Sequence, residues 1–128
     1  MRVIFSLLLF SLSLCADKLS WSSDYNNTMT TAQEHNKTVF MMYSAPWCPE
    51  CNYMKEVIFQ DPKVNAYMKS HFELLSLDIQ KDTLPKGFPY IGIPTYYIIN
   101  PTDHKMIQKI EGGSKASVFL QKLQNKTR

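Results

Sequence analysis

The residues in this chain best equipped for chemistry are Cys48 and Cys51, set three apart as Cys48-Pro49-Glu50-Cys51. That spacing suits the reversible closure of a disulfide, or half of a four-ligand zinc site. The pair directly follows an apolar run, Thr38-Val-Phe-Met-Met-Tyr43, and opens a helical pattern. Cys48 therefore falls at a helix N-terminus, where unpaired N–H groups and the positive end of the helix dipole stabilise a thiolate, lower its pKa and make it a nucleophile. Cys51, one turn on along the same face, is placed to resolve a mixed disulfide formed at Cys48, and is expected to be the more buried sulfur. Zinc would need two further ligands, and His35, His71 and His104 show no paired spacing. Redox use is favoured and no metal site is assigned; a metal carrier using the pair and an outlying histidine stays as an alternative.

The third cysteine, Cys15, ends a different kind of segment. Met1-Arg2 is a basic start, and Val3 to Cys15 is apolar apart from Ser6, Ser11 and Ser13. A bilayer span needs about 20 apolar residues, so this run fits the apolar region of a secretory signal instead. Residues 1–16 are expected to be a cleaved signal peptide and 17–128 one domain, periplasmic or secreted. Acylation of Cys15 as a lipoprotein is the less favoured reading, because Leu14 is bulkier than the small residue usual before such a cysteine. The 128 residues are 45% hydrophobic and 20% charged, an ordinary balance for one compact domain. The net charge of +3 is too small and too evenly spread for nucleic-acid binding.

The elements that must position the pair follow from periodicity and capping. Trp21-Ser-Ser-Asp24 supplies capping residues for a helix carrying Tyr25, Met29, Ala32 and Asn36. Thr38–Tyr43 reads as a buried strand. The helix from Cys48 continues through Met54, Val57, Ile58 and Gln60, then breaks and restarts at Asp61-Pro62, with Val64, Tyr67, Met68 and His71 as its apolar stripe. Phe72–Ile79 is a second core strand, and Pro85, Gly87, Pro89 and Gly92 punctuate a loop. Thr95–Ile99 and Lys105–Glu111 form a hairpin closed by Gly112-Gly113, and Ser114 caps a last helix bearing Ala116, Phe119, Leu120 and Leu123.

Ala45-Pro-Trp-Cys-Pro-Glu-Cys51 after a buried strand, with Gly92-Ile93-Pro94-Thr95 downstream, resembles thioredoxin. The stretch Val57–Val64 is more like the secreted branch, which includes the C-terminal periplasmic domain of the membrane disulfide reductase. The resemblance implies an α/β thioredoxin fold, a central four-stranded mixed sheet flanked by helices, with Cys48 and Cys51 as the redox-active disulfide. It also implies a cis proline at Pro94, with Trp47, Ile93, Pro94 and Thr95 forming a substrate platform that pairs with an extended partner segment. Thioredoxin's buried aspartate and lysine are replaced, on this reading, by Met42 and Leu74. Glu50 is then a candidate for handling a proton or tuning the potential, against the plainer reading of a solvated helix-start charge. A carboxylate near Cys48 opposes thiolate formation and argues for a reductant or isomerase over a strong oxidant.

The expected function is exported thiol–disulfide exchange with protein thiols and disulfides. No cofactor is needed, the chain is expected to act as a monomer without a membrane role beyond export, and the resemblance implies another redox protein, such as a membrane disulfide reductase, that recharges it. The rival class is a non-catalytic, thioredoxin-like peptide-binding or chaperone module.

Overall fold

The computed structural model describes residues 18–125, so the expected signal peptide at 1–16, with Cys15, and the end of the domain at 126–128 lie outside the described residues. In chain order the elements are β1 (Trp21–Ser22), α1 (Tyr25–Glu34), β2 (Thr38–Ser44), α2 (Pro49–Tyr53), a π-helical segment (Met54–Ile58), α3 (Pro62–His71), β3 (Phe72–Asp78), β4 (Thr95–Ile99), β5 (Met106–Glu111) and α4 (Ala116–Gln124). The sheet order is β1-β3-β2-β4-β5. β2 runs parallel to β3, because the helices between them form a crossover, while β4 and β5 are antiparallel neighbours joined by a short turn.

Four of these strands are the expected ones, and the sheet has a fifth. β1 pairs parallel to β3 through Trp21↔Leu74 and Ser22↔Leu75. Two residues are too short to show a strand period. The tie comes from packing, since the Trp21 ring lies 5.5 Å from Phe59 and 6.1 Å from Phe40.

β2 is the central strand, and Val39 to Tyr43 are all fully buried. Its alternation splits the core in two. Phe40 and Met42 face α2, α3 and α4 together with Cys48, Cys51, Tyr96 and Phe119, while Val39, Met41 and Tyr43 face α1 and the loop around Phe88. Across the β2–β3 ladder Met42 pairs with Ser76, and Leu74 pairs with Phe40. Met42 and Leu74, the residues read in place of thioredoxin's aspartate and lysine, are therefore not direct partners across the ladder.

Asp24 caps α1 by accepting from the Asn27 N–H at 2.9 Å. Asp61 caps α3 by accepting from the N–H groups of Lys63 and Val64, with Pro62 in the first turn. The last helix differs from expectation: its N-cap is Lys115, with no side-chain bond, and Ser114 stands one residue outside. The helix that begins after Cys48 also changes pitch. From Met54 it becomes π-helical, with the Phe59 N–H donating to the Met54 carbonyl at 2.8 Å. The wider turn buries Met54 and Ile58 and leaves Val57 exposed, which a regular α-helical stripe does not anticipate.

Tyr43 gives the fold an alkaline sensitivity. Its hydroxyl donates to the Phe88 carbonyl at 3.0 Å. Burial first, then the neighbouring phenols of Tyr97, Tyr25 and Tyr90, push its pKa up to about 12. The folded chain keeps a proton that the unfolded chain releases near 10.0. This contribution to stability is therefore complete below that pH and is lost as pH rises through about 12. Denaturant unfolding followed from about pH 9 upward should show a steeper alkaline loss for the wild type than for Tyr43→Phe.

Candidate functional site

The loop between β2 and α2 ends on Cys48, α2 itself carries Cys51, and local backbone bonds shape the junction. Cys48 is the N-cap residue, in extended conformation, with Pro49 in the first turn, where its missing N–H costs nothing. The Cys48 N–H donates to the Ala45 carbonyl at 3.2 Å, and the Asn52 N–H donates to the Cys48 carbonyl at 3.1 Å. The Cys51 N–H donates to Cys48 Sγ at 3.1 Å. That bond and the helix start place positive potential at this one sulfur.

The two cysteines are joined as a disulfide, with Cα atoms 5.2 Å apart. Their accessibility is unequal: Cys48 is 5% exposed and Cys51 0%. Only Cys48 can be reached by another sulfur. Cys48 Sγ also lies 3.9 Å from the Ile93 carbonyl. That contact sets the loop before β4, in which Ile93–Pro94 is a cis peptide, against the pair. The Gly112 N–H donates to the Pro94 carbonyl at 2.8 Å, which anchors that loop to the end of β5. Gly112 has φ +77°, a conformation that favours glycine.

The residues read as a substrate platform fall around this spot in different ways. Trp47 is 59% exposed, and its Nε1 donates to Gln80 Oε1 at 3.0 Å. Ile93 is partly buried and touches both core clusters. Pro94 is buried. Thr95 is buried as well, and its hydroxyl donates to the Gly92 carbonyl at 2.6 Å, so its side chain is turned inward.

Other contributors were not singled out in the sequence. Gln80 reaches Trp47 because the turn after β3 is built on Asp78, whose Oδ1 accepts from the Gln80 N–H at 2.9 Å. Asp82 in turn accepts from the Asp78 N–H at 2.7 Å. Ile91 is 95% exposed beside the Ile93–Pro94 peptide. An isoleucine in a glycine- and proline-rich loop was the available signal. Lys55, partly buried, donates from Nζ to Ser44 Oγ at 2.9 Å. Burial lowers its pKa, partly offset by the Asp78 carboxylate.

Glu50 is exposed but held in place: its Oε1 accepts from the Gly113 N–H at 2.8 Å. A Cβ on Gly113 would lie 2.7 Å from that oxygen and 2.8 Å from Glu50 Cγ. Gly113→Ala should therefore push the carboxylate aside. Because Glu50 is free to swing into solvent, the stability cost should stay under about 1 kcal/mol, read as the shift in denaturant midpoint.

The histidines are dispersed over the surface. His35 Nδ1 is 2.6 Å from Glu73, His71 stacks on Tyr67 at 4.0 Å, and His104 Nδ1 is 3.2 Å from the Tyr25 hydroxyl. Among the described residues, no cluster of three or more His, Cys, Asp or Glu is arranged to hold a metal ion, and no helix is long and apolar enough to cross a membrane.

Comparison with known proteins bears on the same pair. The family model described as a thioredoxin-like domain matches residues 25–127. A thioredoxin H-type from Brassica campestris is 24% identical over 98 residues, covering 74% of this chain and 73% of the relative. The thiol:disulfide interchange protein DsbD of Campylobacter jejuni is 26% identical over 121 residues, which is 88% of this chain but 21% of that longer protein. Among solved structures, the oxidised C-terminal domain of Neisseria meningitidis DsbD superposes with a TM-score of 0.67 at 20% identity, covering 84% of this chain and all of that domain. At that identity the likeness is one of fold.

Proposed function

The chain belongs to the thioredoxin-like domain family, and from that premise we propose that it is an exported thiol–disulfide oxidoreductase that reduces or isomerises disulfides in other proteins. The observation that carries this reading is the asymmetry of the pair. Cys48 is the reachable sulfur, at a helix start and receiving an N–H bond, and Cys51 is sealed behind it.

In the reduced protein, the Cys48 thiolate attacks one sulfur of a partner disulfide. A Cys48–partner bond forms, the partner's own bond breaks, and its second sulfur leaves as a thiolate that takes a proton. Cys51 then attacks Cys48. The Cys48–Cys51 bond closes, the remaining partner thiol is released, and two electrons have passed to the partner. A separate dithiol protein, a membrane disulfide reductase by the reading above, reduces the pair again.

Trp47 and the Ile93–Pro94 peptide flank the approach to Cys48, with Thr95 contributing backbone rather than its inward-turned side chain, and an extended partner segment would lie along the backbone at Ile93. Export to the periplasm or a secretory compartment rests on the apolar stretch from Val3 to Cys15, with 1–16 removed and 17–128 retained as a monomer.

The Glu50 carboxylate sets the direction of exchange. A negative charge beside Cys48 disfavours its thiolate, and a less stabilised reduced form makes a better electron donor. The pair's potential should lie nearer about −270 mV than about −120 mV. Equilibration with glutathione measures it, and a value above roughly −160 mV overturns the reductant assignment. Insulin reduction driven by dithiothreitol tests the activity itself. Turnover by the wild type, absent in Cys48→Ser, is expected, and an inactive wild type overturns the oxidoreductase reading.

A further inference from the structure

Cys51 is fully buried, so its thiol proton must leave through neighbouring groups before its sulfur can attack Cys48. Two sets of observations bear on that route. Glu50, directly before Cys51 in the chain, reaches solvent, yet its carboxylate is fixed by the Gly113 N–H and fits only because Gly113 lacks a Cβ. In the interior, the hydroxyls of Tyr96 and Ser114 are both buried and have no hydrogen-bond partner. A buried hydroxyl left unpaired is costly and uncommon, so each calls for a role, and Tyr96 shares a cluster with the redox pair.

Tyr96 is fully buried in the same cluster as Cys48 and Cys51, and Ser114 directly follows the glycine that holds Glu50. The Tyr96 phenol also senses Glu50: burial raises its pKa, and the carboxylate's charge raises it further. It therefore stays a neutral donor and acceptor throughout the range in which thiols exchange.

We propose that Glu50 is the proton acceptor for Cys51, with the unpaired Tyr96 hydroxyl, buried in the same cluster as that sulfur, as a positioning group for the proton. The proposal rests on the disulfide-exchange reading above. In the resolving step the Cys51 S–H proton passes to Glu50 while the sulfur attacks Cys48 Sγ. The Cys48–Cys51 bond forms, the Cys48–partner bond breaks, and the partner sulfur leaves with the electron pair and is protonated from solvent. Glu50 then returns its proton to solvent.

The other groups around this route are few. β2 offers the apolar Met42, and the β5–α4 turn offers the Gly113 amide, Ser114 and the exposed Lys115. The π-helical segment offers Lys55, which is bonded to Ser44 near Asp78. Lys109 and Glu111 pair with each other, with Lys109 over the Tyr97 ring, which packs on the opposite face of the sheet.

Two rates separate this role from a simple charge effect. Cys48 reactivity is read by alkylation in a Cys51→Ser background. The resolving step is read by the decay of the mixed disulfide in acid-quenched single turnovers with a disulfide peptide, as a function of pH. Removing a repelling charge would speed both. With Glu50→Gln, Cys48 alkylation should be unchanged or faster, while resolution at pH 7 slows roughly tenfold or more and its pH profile moves to the alkaline side. Tyr96→Phe should slow resolution about threefold or more and leave Cys48 alkylation alone. Glu50→Asp should recover part of the rate, and Gly113→Ala, which displaces the carboxylate without removing it, should slow the same step. Resolution profiles of Glu50→Gln or Tyr96→Phe that superimpose on the wild type overturn the proposal, as does an acceleration of both rates in Glu50→Gln. Because Glu50 is exposed, its variants test the idea even if Tyr96→Phe fails to fold. A wild type that exchanges no disulfide would instead overturn the activity on which the proposal rests.

Discussion

Cys51→Ser should turn this protein from a turnover reagent into a trap. The substituted chain keeps the reachable sulfur at Cys48, its helix start and its backbone N–H bond, so attack on a partner disulfide proceeds. What it loses is the sulfur that releases the product. Reduced Cys51→Ser mixed with an oxidised protein should accumulate a covalent complex, visible on a non-reducing gel and dispersed by dithiothreitol, with mass spectrometry placing the link at Cys48. Turnover should fall by at least about a hundredfold, equivalent to about 2.7 kcal/mol of barrier. Cys48→Ser should give no complex, because the remaining thiol at Cys51 is sealed from solvent. A complex formed as readily by Cys48→Ser would reverse the assignment of nucleophile and resolving sulfur. Captured from the native compartment, the same complex would also identify partners.

The largest stability effect is expected at Phe40. Its ring is fully buried at the centre of β2 and lies between 5.4 and 6.2 Å from the rings of Trp21, Phe59, Phe72, Tyr96 and Phe119. These neighbours come from β1, the turn before α3, β3, β4 and α4, so one ring ties five parts of the chain together. Phe40→Ala should cost about 3–5 kcal/mol, through lost transfer free energy and a cavity that surrounding rings cannot close. Small domains are stable by only about 5–15 kcal/mol, so chemical denaturation should show either a large fall in midpoint or an unfolded population without denaturant. A loss below about 1 kcal/mol would mean that the aromatic cluster collapses around the gap. Cys48 and Cys51 belong to the same cluster, so the loss should extend to the site.

Much of this architecture was legible because it is written in short-range patterns. Asp24, Asp61 and Pro62 mark helix starts through bonds to residues within a turn, and the apolar run at Thr38–Tyr43 needs no partner to be read as a core strand. The features that escaped depend on contacts distant in sequence. β1 exists because Trp21 packs onto Phe40 and Phe59, and Ser114 sits outside α4 because the chain there turns to place Gly113 on Glu50. The π-helical turn hides for another reason, since one extra residue per turn moves Val57 off a stripe that α-helical periodicity assigns to it.

By itself, the sequence determined the redox pair, its place at a helix start and the thioredoxin-like order of elements, because spacing, capping and hydrophobic period are local properties of the chain. Only the tertiary structure decided what surrounds that pair. It set Ile93–Pro94 against Cys48, put Ser76 across from Met42, and used two adjacent glycines to tie the Pro94 loop and Glu50 to one turn. Those relations join residues tens of positions apart, and their physical origin lies in packing and in the need to pair backbone N–H groups, which no stretch of sequence displays alone.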